Sequence, residues 1–311
     1  MAPRSDSSSD QREAAAVTSG AKWLAADVRR LQVHSSRLVT GIFAGAYQSV
    51  FRGRGLEFQE VREYQPGDDV RCIDWNVTAR AGRPYLKQFV EERDLTVMLL
   101  LDRSASLACP TPRGPKSRIA AEACALLALA AARNHDRVGL LTCTDRVESY
   151  LPPAKGGRQA QRIMAELLSR EPAGVATDLA GALSYLDRVL RRPSTLCIVS
   201  DFQCADFRLA LAALAGRHHV VALQVTDESD LELPEAGLIR IADPEQGTVR
   251  LVDAAAPRVR SAYREESASR RARLLQCFAA AGVRHLELRN GQPPIHALVR
   301  FFQAGRRQGR R

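Results

Sequence analysis

The sequence predicts an α/β fold: a doubly wound, mainly parallel sheet of about six strands, with a small β-rich N-terminal subdomain ahead of it. Three observations carry this expectation. The short apolar runs Leu95–Leu101, Thr195–Ser200 and His219–Val225 have the unbroken hydrophobicity of strands buried on both faces. They alternate with segments of helical composition, and that alternation implies crossovers and a parallel sheet. Two of the runs end at an aspartate, Asp102 and Asp201, and strand ends are where open α/β sheets place their ligands.

Taken in order, residues 1–19 are Ser-, Asp- and Ala-rich and are expected to form a disordered tail. Trp23, Leu24, Val28 and Leu31 recur at helical spacing and predict an amphipathic helix over about 20–36. This helix and a β-rich subdomain make up residues 20–93. In the subdomain, Pro66-Gly67-Asp68-Asp69 reads as a turn, because Pro presets φ and Gly permits positive φ. Leu56/Phe58 before it and Val70/Cys72 after it alternate as short strands do. Ala81-Gly82-Arg83-Pro84 is a second turn, and Tyr85–Val90 is a further strand. Eight basic residues face nine acidic ones across 52–94, a balance that suggests ion pairing more than a phosphate-binding surface. Trp75 is expected to be a core anchor and Tyr64 a packing residue.

The α/β domain is expected over 94–303. Leu95–Leu101 is its first strand and Lys116–Arg133 an Ala/Leu-rich helix. Arg137–Cys143 is a strand, with Val147–Leu151 placed to pair with it. Helices follow over Gly157–Ser169 and Asp178–Leu190, then the strand Thr195–Ser200, the helix Phe207–Ala215 and the strand His219–Val225. Short strands near Leu238–Ile241 and Val249–Leu251 precede a long helix from about Ala256 to Ala281. Val283–Leu288 is the last strand and Pro294–Gln303 the last helix, leaving 304–311 as a basic tail.

Composition narrows the function classes. No apolar run reaches the ~18 residues of a membrane helix, and the N-terminus has no signal-peptide core, so the chain reads as soluble and cytoplasmic. Seven cysteines without a C-x-x-C pair, several in core elements (Cys124, Cys143, Cys197), read as buried reduced thiols. The net charge of +10 is concentrated near the C-terminus, with five Arg and no acid in 300–311 and six Arg against two Glu in 258–273. A solvated Arg-rich face accounts for this, so nucleic acid is not the expected partner. No Walker motif is present; Gly114-Pro115-Lys116-Ser117 resembles one only superficially.

The oxygen donors form one constellation. Asp102, Ser104 and Ser106 follow the first core strand, Thr177 precedes a helix, and Asp201 follows another buried strand. Strand ends in such a sheet converge on one edge. Carboxylate and hydroxyl oxygens are what a hard cation such as Mg²⁺ prefers. Asp102-x-Ser-x-Ser alone fits a capped turn equally well. Asp178 is an alternative to Thr177, or the cap of the next helix, and Asp201 could cap the turn before Asp206.

Asp102, Ser104, Ser106, Thr177 and Asp201 match the Asp-x-Ser-x-Ser, Thr, Asp pattern of the metal-ion-dependent adhesion site, so this part resembles a von Willebrand factor A-type domain. Upstream, Gly53-Arg54-Gly55-Leu56-Glu57-Phe58, Arg62-Glu63-Tyr64, Pro66-Gly67-Asp68-Asp69, Arg71, Ile73-Asp74-Trp75 and Ala79-Arg80 resemble the hallmark of the bacterial family called domain of unknown function 58. The resemblance implies a von Willebrand factor A-like fold and a Mg²⁺ (or Mn²⁺) ion held by the five residues. It also implies a partner protein whose carboxylate completes the shell, and work with a MoxR-type AAA+ ATPase in assembling or activating other complexes. Many family members carry N-terminal membrane helices; this sequence resembles the branch without them, and no membrane partner is expected.

A binding role is favoured over a catalytic one. A metal hydrolase needs an activated water and a nearby general base, and no His or Glu is tied by spacing to Asp102 or Asp201. Hydroxyl ligands also leave the ion more electrophilic, which suits recruiting an outside carboxylate. A metal-dependent hydrolase using the same site, and nucleic-acid binding by the Arg-rich C-terminus, are the alternatives.

Overall fold

The computed structural model describes residues 57–65, 68–70, 73–90, 95–169, 172–242, 244–245 and 247–308. The expected tail over 1–19 and helix over 20–36 lie outside them. Two compact units are present, residues 52–95 and the α/β domain.

In the first unit, β1 (Glu57–Glu63) pairs antiparallel with β2 (Tyr85–Val90), Glu63 opposite Tyr85. The strand expected over Tyr85–Val90 is therefore present, and its partner β1 contains Phe58 of the strand expected at Leu56/Phe58, whereas the strand expected at Val70/Cys72 is not seen at Val70. Val70 lies in a turn and is exposed, and Cys72 is outside the described residues. The connection instead holds a helix absent from the sequence expectation, α1 (Trp75–Ala81). Its limits have local causes. The Asp74 carboxylate accepts from Asn76 N and Val77 N at 3.0 and 3.3 Å, and Gly82 closes the helix in the left-handed region, φ 70°. Thr78 Oγ1 accepts from Tyr85 N at 3.0 Å and fastens α1 to β2. Trp75 is not a core anchor: it opens α1 and is 69% exposed, and this short helix buries none of its residues.

The α/β domain is built on a six-stranded sheet of order β10-β7-β6-β3-β4-β5. Its members are β3 (Thr96–Asp102), β4 (Arg137–Cys143), β5 (Val147–Lys155), β6 (Thr195–Ser200), β7 (His219–Thr226) and β10 (Arg284–Arg289). All neighbours are parallel except β4 and β5. β5 lies at an edge, where a hairpin needs no crossover. The central strands β3, β6 and β7 are buried almost throughout, as continuous apolar runs require.

Helices cover both faces. On one, α3 (Lys116–Arg133) packs with α4 (Gly157–Ser169) and α8 (Pro294–Gln308). On the other, α5 (Leu179–Val189), α6 (Arg208–Arg217) and α7 (Pro257–Ala280) bury Leu183, Leu186, Leu211, Leu214 and Phe278 against Met98, Leu100 and Ile198. Alternate strand residues such as Leu99 and Cys197 are buried on the opposite face. The last helix runs to Gln308, five residues past the expected Gln303. A separate two-stranded arm, β8 (Leu238–Ala242) with β9 (Val249–Asp253), stands outside the main sheet. The six described cysteines are free, with Cys124, Cys143 and Cys197 buried. Among the described residues, no helix is long and apolar enough to cross a membrane.

Candidate functional site

The site lies where β3 and β6, neighbours in the sheet, reach their C-terminal ends. Asp102 is the last residue of β3 and only 1% exposed. Its Oδ1 accepts from Ser104 N at 2.9 Å, which bends the chain off the sheet, and its Oδ2 accepts from Ser200 Oγ at 2.6 Å, which ties the two strand ends together. Ser104 precedes a single-turn helix, α2 (Ala105–Ala108), but makes no side-chain capping bond. Its Oγ instead lies 3.0 Å from Ser106 Oγ. A capped turn therefore accounts for the Asp102 carboxylate in part, and the Ser104 hydroxyl, beside Ser106, also hydrogen-bonds that carboxylate.

Thr177 comes from the loop before α5. Ala105 N donates to Val175 O at 2.9 Å and holds that loop against α2. Glu148 Oε1 anchors its stem, accepting from Thr144 Oγ1 at 2.6 Å and Gly174 N at 2.9 Å. Gly174 is required for this approach, since a Cβ there would stand 2.2 Å from both Thr144 Oγ1 and Asp145 Oδ1. Asp178 Oδ1 accepts from Gly181 N at 2.8 Å and caps α5, the capping role expected for it. Thr177 Oγ1 donates to Glu245 Oε1 at 2.7 Å; Glu245 lies in the connection of the β8–β9 arm.

Asp201 follows β6 and is 3% exposed. The chain turns there with Phe202 in the left-handed region, φ 57°, which is uncommon for a bulky residue and costs about 1–3 kcal/mol. Ring packing holds the turn: Phe202 lies 5.7 Å from Phe207 and 5.1 Å from Phe278 between centroids. Asp201 Oδ1 accepts from Gln203 N at 3.1 Å, while Oδ2 accepts from Lys116 Nζ at 2.7 Å. The first of these bonds caps the turn before Asp206, as one expectation had it, though no helix starts there. Lys116, at the start of α3 and 4% exposed, also reaches both oxygens of Asp230 at 3.3 Å.

The charges have consequences. Burial, and then the neighbouring charge of Asp201, push Asp102 up to about 6, against hydrogen bonds from Ser200 and Ser104 that pull it down. Burial opposes the charged form of Lys116, but the carboxylates of Asp201 and Asp230 outweigh it and hold the ammonium above its ordinary value. Burial, with help from Asp102 and Asp201, pushes the Cys204 thiol up to about 12, so it stays protonated and is no nucleophile at neutral pH.

The donor set fits a hard divalent cation on its own chemistry. Two carboxylates are buried within electrostatic reach of each other, and one ammonium compensates Asp201. Three hydroxyls supply neutral oxygens. No cluster of three or more His, Cys, Asp or Glu suited to a metal occurs among the described residues, so an ion at this edge depends on the hydroxyls. Sequence reasoning missed Lys116 and Glu245. The helix-opening position of Lys116 was visible, but its burial against Asp201 was not; Glu245 carried no signal, lying 68 residues from Thr177.

The topology is a mainly parallel sheet with one antiparallel edge strand and helices on both faces. The chain belongs to the family described as protein of unknown function DUF58, whose model matches residues 60–273. It is 35% identical over 292 residues to the uncharacterized protein Rv1480 of Mycobacterium tuberculosis, covering 92% of this chain and 90% of that one. An uncharacterized protein of Mycobacterium avium is 34% identical over 161 residues, which is 50% of this chain and 94% of the relative. Among solved structures, the conserved hypothetical protein BatB from Bacteroides thetaiotaomicron aligns over 68% of this chain and 99% of its own, at 15% identity and a TM-score of 0.43.

Proposed function

We propose that this protein is a non-catalytic, metal-dependent protein-interaction module. In this reading Asp102, Ser104, Ser106, Thr177 and Asp201 hold Mg²⁺ (or Mn²⁺), and a partner protein's carboxylate docks on the ion. The ion supplies a Lewis-acidic point that binds oxygen anions. The chain's own residues orient it: Ser200 and the Ser104 amide fix Asp102, and Lys116 fixes Asp201. A MoxR-type AAA+ ATPase is the proposed co-worker, in the assembly or activation of other complexes in the cytoplasm.

The observation that carries the reading is the pair of buried carboxylates, Asp102 and Asp201, beside the Ser104 and Ser106 hydroxyls, which lie 3.0 Å apart. Calorimetric titration of Mg²⁺ or Mn²⁺ into wild type and Asp102→Ala tests it. Loss of binding in the variant is expected; equal affinity in both would refute the site.

A metal-dependent hydrolase is the second reading, favoured by one observation: Glu245 brings a carboxylate to Thr177, where a general base would be needed. Phosphoester or peptide turnover that requires the metal and disappears in Asp201→Ala would support it.

A further inference from the structure

The proposed site leaves one position of the ion's shell for a carboxylate from outside, yet the chain brings a carboxylate of its own to the same edge. Thr177 Oγ1 donates its proton to Glu245 Oε1 at 2.7 Å. A hydroxyl that donates its proton keeps its lone pairs, so Thr177 can still offer oxygen to a cation. Glu245, Ser106 and Asp201 also line one cavity of about 1670 Å³, so the arm and the site share a single opening.

The element that carries Glu245 is suited to come and go. β8 and β9 pair only with each other among the described strands. An isolated two-stranded ribbon is marginally stable by itself. Its Leu238, Val249 and Leu251 are already exposed, so displacing the arm does not require stripping these three from a core.

We infer that Glu245 is a tethered carboxylate ligand for the ion held at Asp102, Ser104, Ser106, Thr177 and Asp201, and that a partner's carboxylate must displace it to dock. The inference rests on the metal-site reading above. Binding then becomes an exchange of one carboxylate for another, and the β8–β9 arm sets the affinity a partner must exceed. No bond is made or broken except the coordination bonds to the ion.

The test uses the full chain loaded with Mn²⁺ and counts the waters on the bound ion by water-proton relaxation, alongside calorimetric affinity. Glu245→Gln preserves size and removes the charge; Glu245→Ala opens the space. Loss of an outer-shell partner alone weakens metal binding roughly 10–100-fold, so affinity by itself does not separate a ligand from a residue that only holds Thr177. Hydration does. Both variants are expected to show about one more Mn²⁺-bound water than wild type, and acetate is expected to bind the Mn²⁺-loaded Glu245→Ala protein and remove that extra water. Unchanged hydration in both variants, with Mn²⁺ still bound and still lost in Asp102→Ala, overturns the tethered ligand and leaves the metal site standing. Failure of Mn²⁺ to bind wild type overturns both. Far-UV circular dichroism melts confirm that each variant is folded.

Discussion

Replacing Lys116 by Met keeps the length of the side chain and deletes its charge. In the folded protein the ammonium lies 2.7 Å from Asp201 and 3.3 Å from Asp230, and Lys116 and Asp201 are both almost fully buried. Removing one partner of such a pair leaves an uncompensated buried carboxylate, which costs about 3–5 kcal/mol. For a domain of roughly 200 residues each kcal/mol moves the melting temperature about 2–4 °C, so Lys116→Met should melt roughly 6–20 °C below wild type. The measurement is thermal and urea unfolding in EDTA, followed by circular dichroism. Lys116→Met/Asp201→Asn removes both charges and should recover most of the loss, because a matched neutral pair carries no stranded charge. Mn²⁺ should raise the melting temperature of the single variant by mass action, about 2.7 kcal/mol at a concentration 100 times the dissociation constant. A single variant as stable as wild type would refute the argument, since it would mean that Asp201 does not need the ammonium.

Two further outcomes follow from the same geometry. Gly174→Ala should destabilise the domain by about 1–3 kcal/mol and weaken Mn²⁺ binding, because its Cβ would press on Thr144 and Asp145 and shift the Thr177 loop; urea unfolding and calorimetry unchanged from wild type would refute this. The contribution of His218 to stability should also fall as pH drops below about 6.5, while Asp102, raised to about 6, contributes in the opposite direction. Burial holds His218 below its ordinary value, and its Nδ1 accepts from Ser194 N at 3.2 Å, so the folded state keeps the ring neutral while the unfolded chain takes up a proton. Melts at about pH 7.5 and about pH 5.5 should show a smaller acid loss in His218→Asn than in wild type; equal losses would remove His218 from the explanation.

The parts of the fold that depend on local pattern were legible in the sequence. Unbroken apolar runs located β3, β6 and β7, because a strand covered by helices on both faces has no polar side to show. Asp178 was read as a possible cap, and it caps α5. α1 was also written locally, in Asp74 before it and Gly82 after it, but the turn residues around it drew the reading toward strands. Trp75 was assigned inward on residue type alone, and a large apolar side chain does not reveal which way a seven-residue helix faces.

The candidate site divides in the same way. Asp102, Ser104, Ser106, Thr177 and Asp201 could be placed on one edge because strand order and crossover rules bring C-terminal strand ends together. The fold class, and the candidate oxygen donors, are thus legible from local pattern and strand order. Packing alone brings Lys116 to Asp201 across 85 residues and Glu245 to Thr177 across 68. Periodicity and spacing report on neighbours along the chain; a charge pair or a carboxylate delivered by a distant arm is set by packing, and leaves no repeat in the sequence from which it could be read.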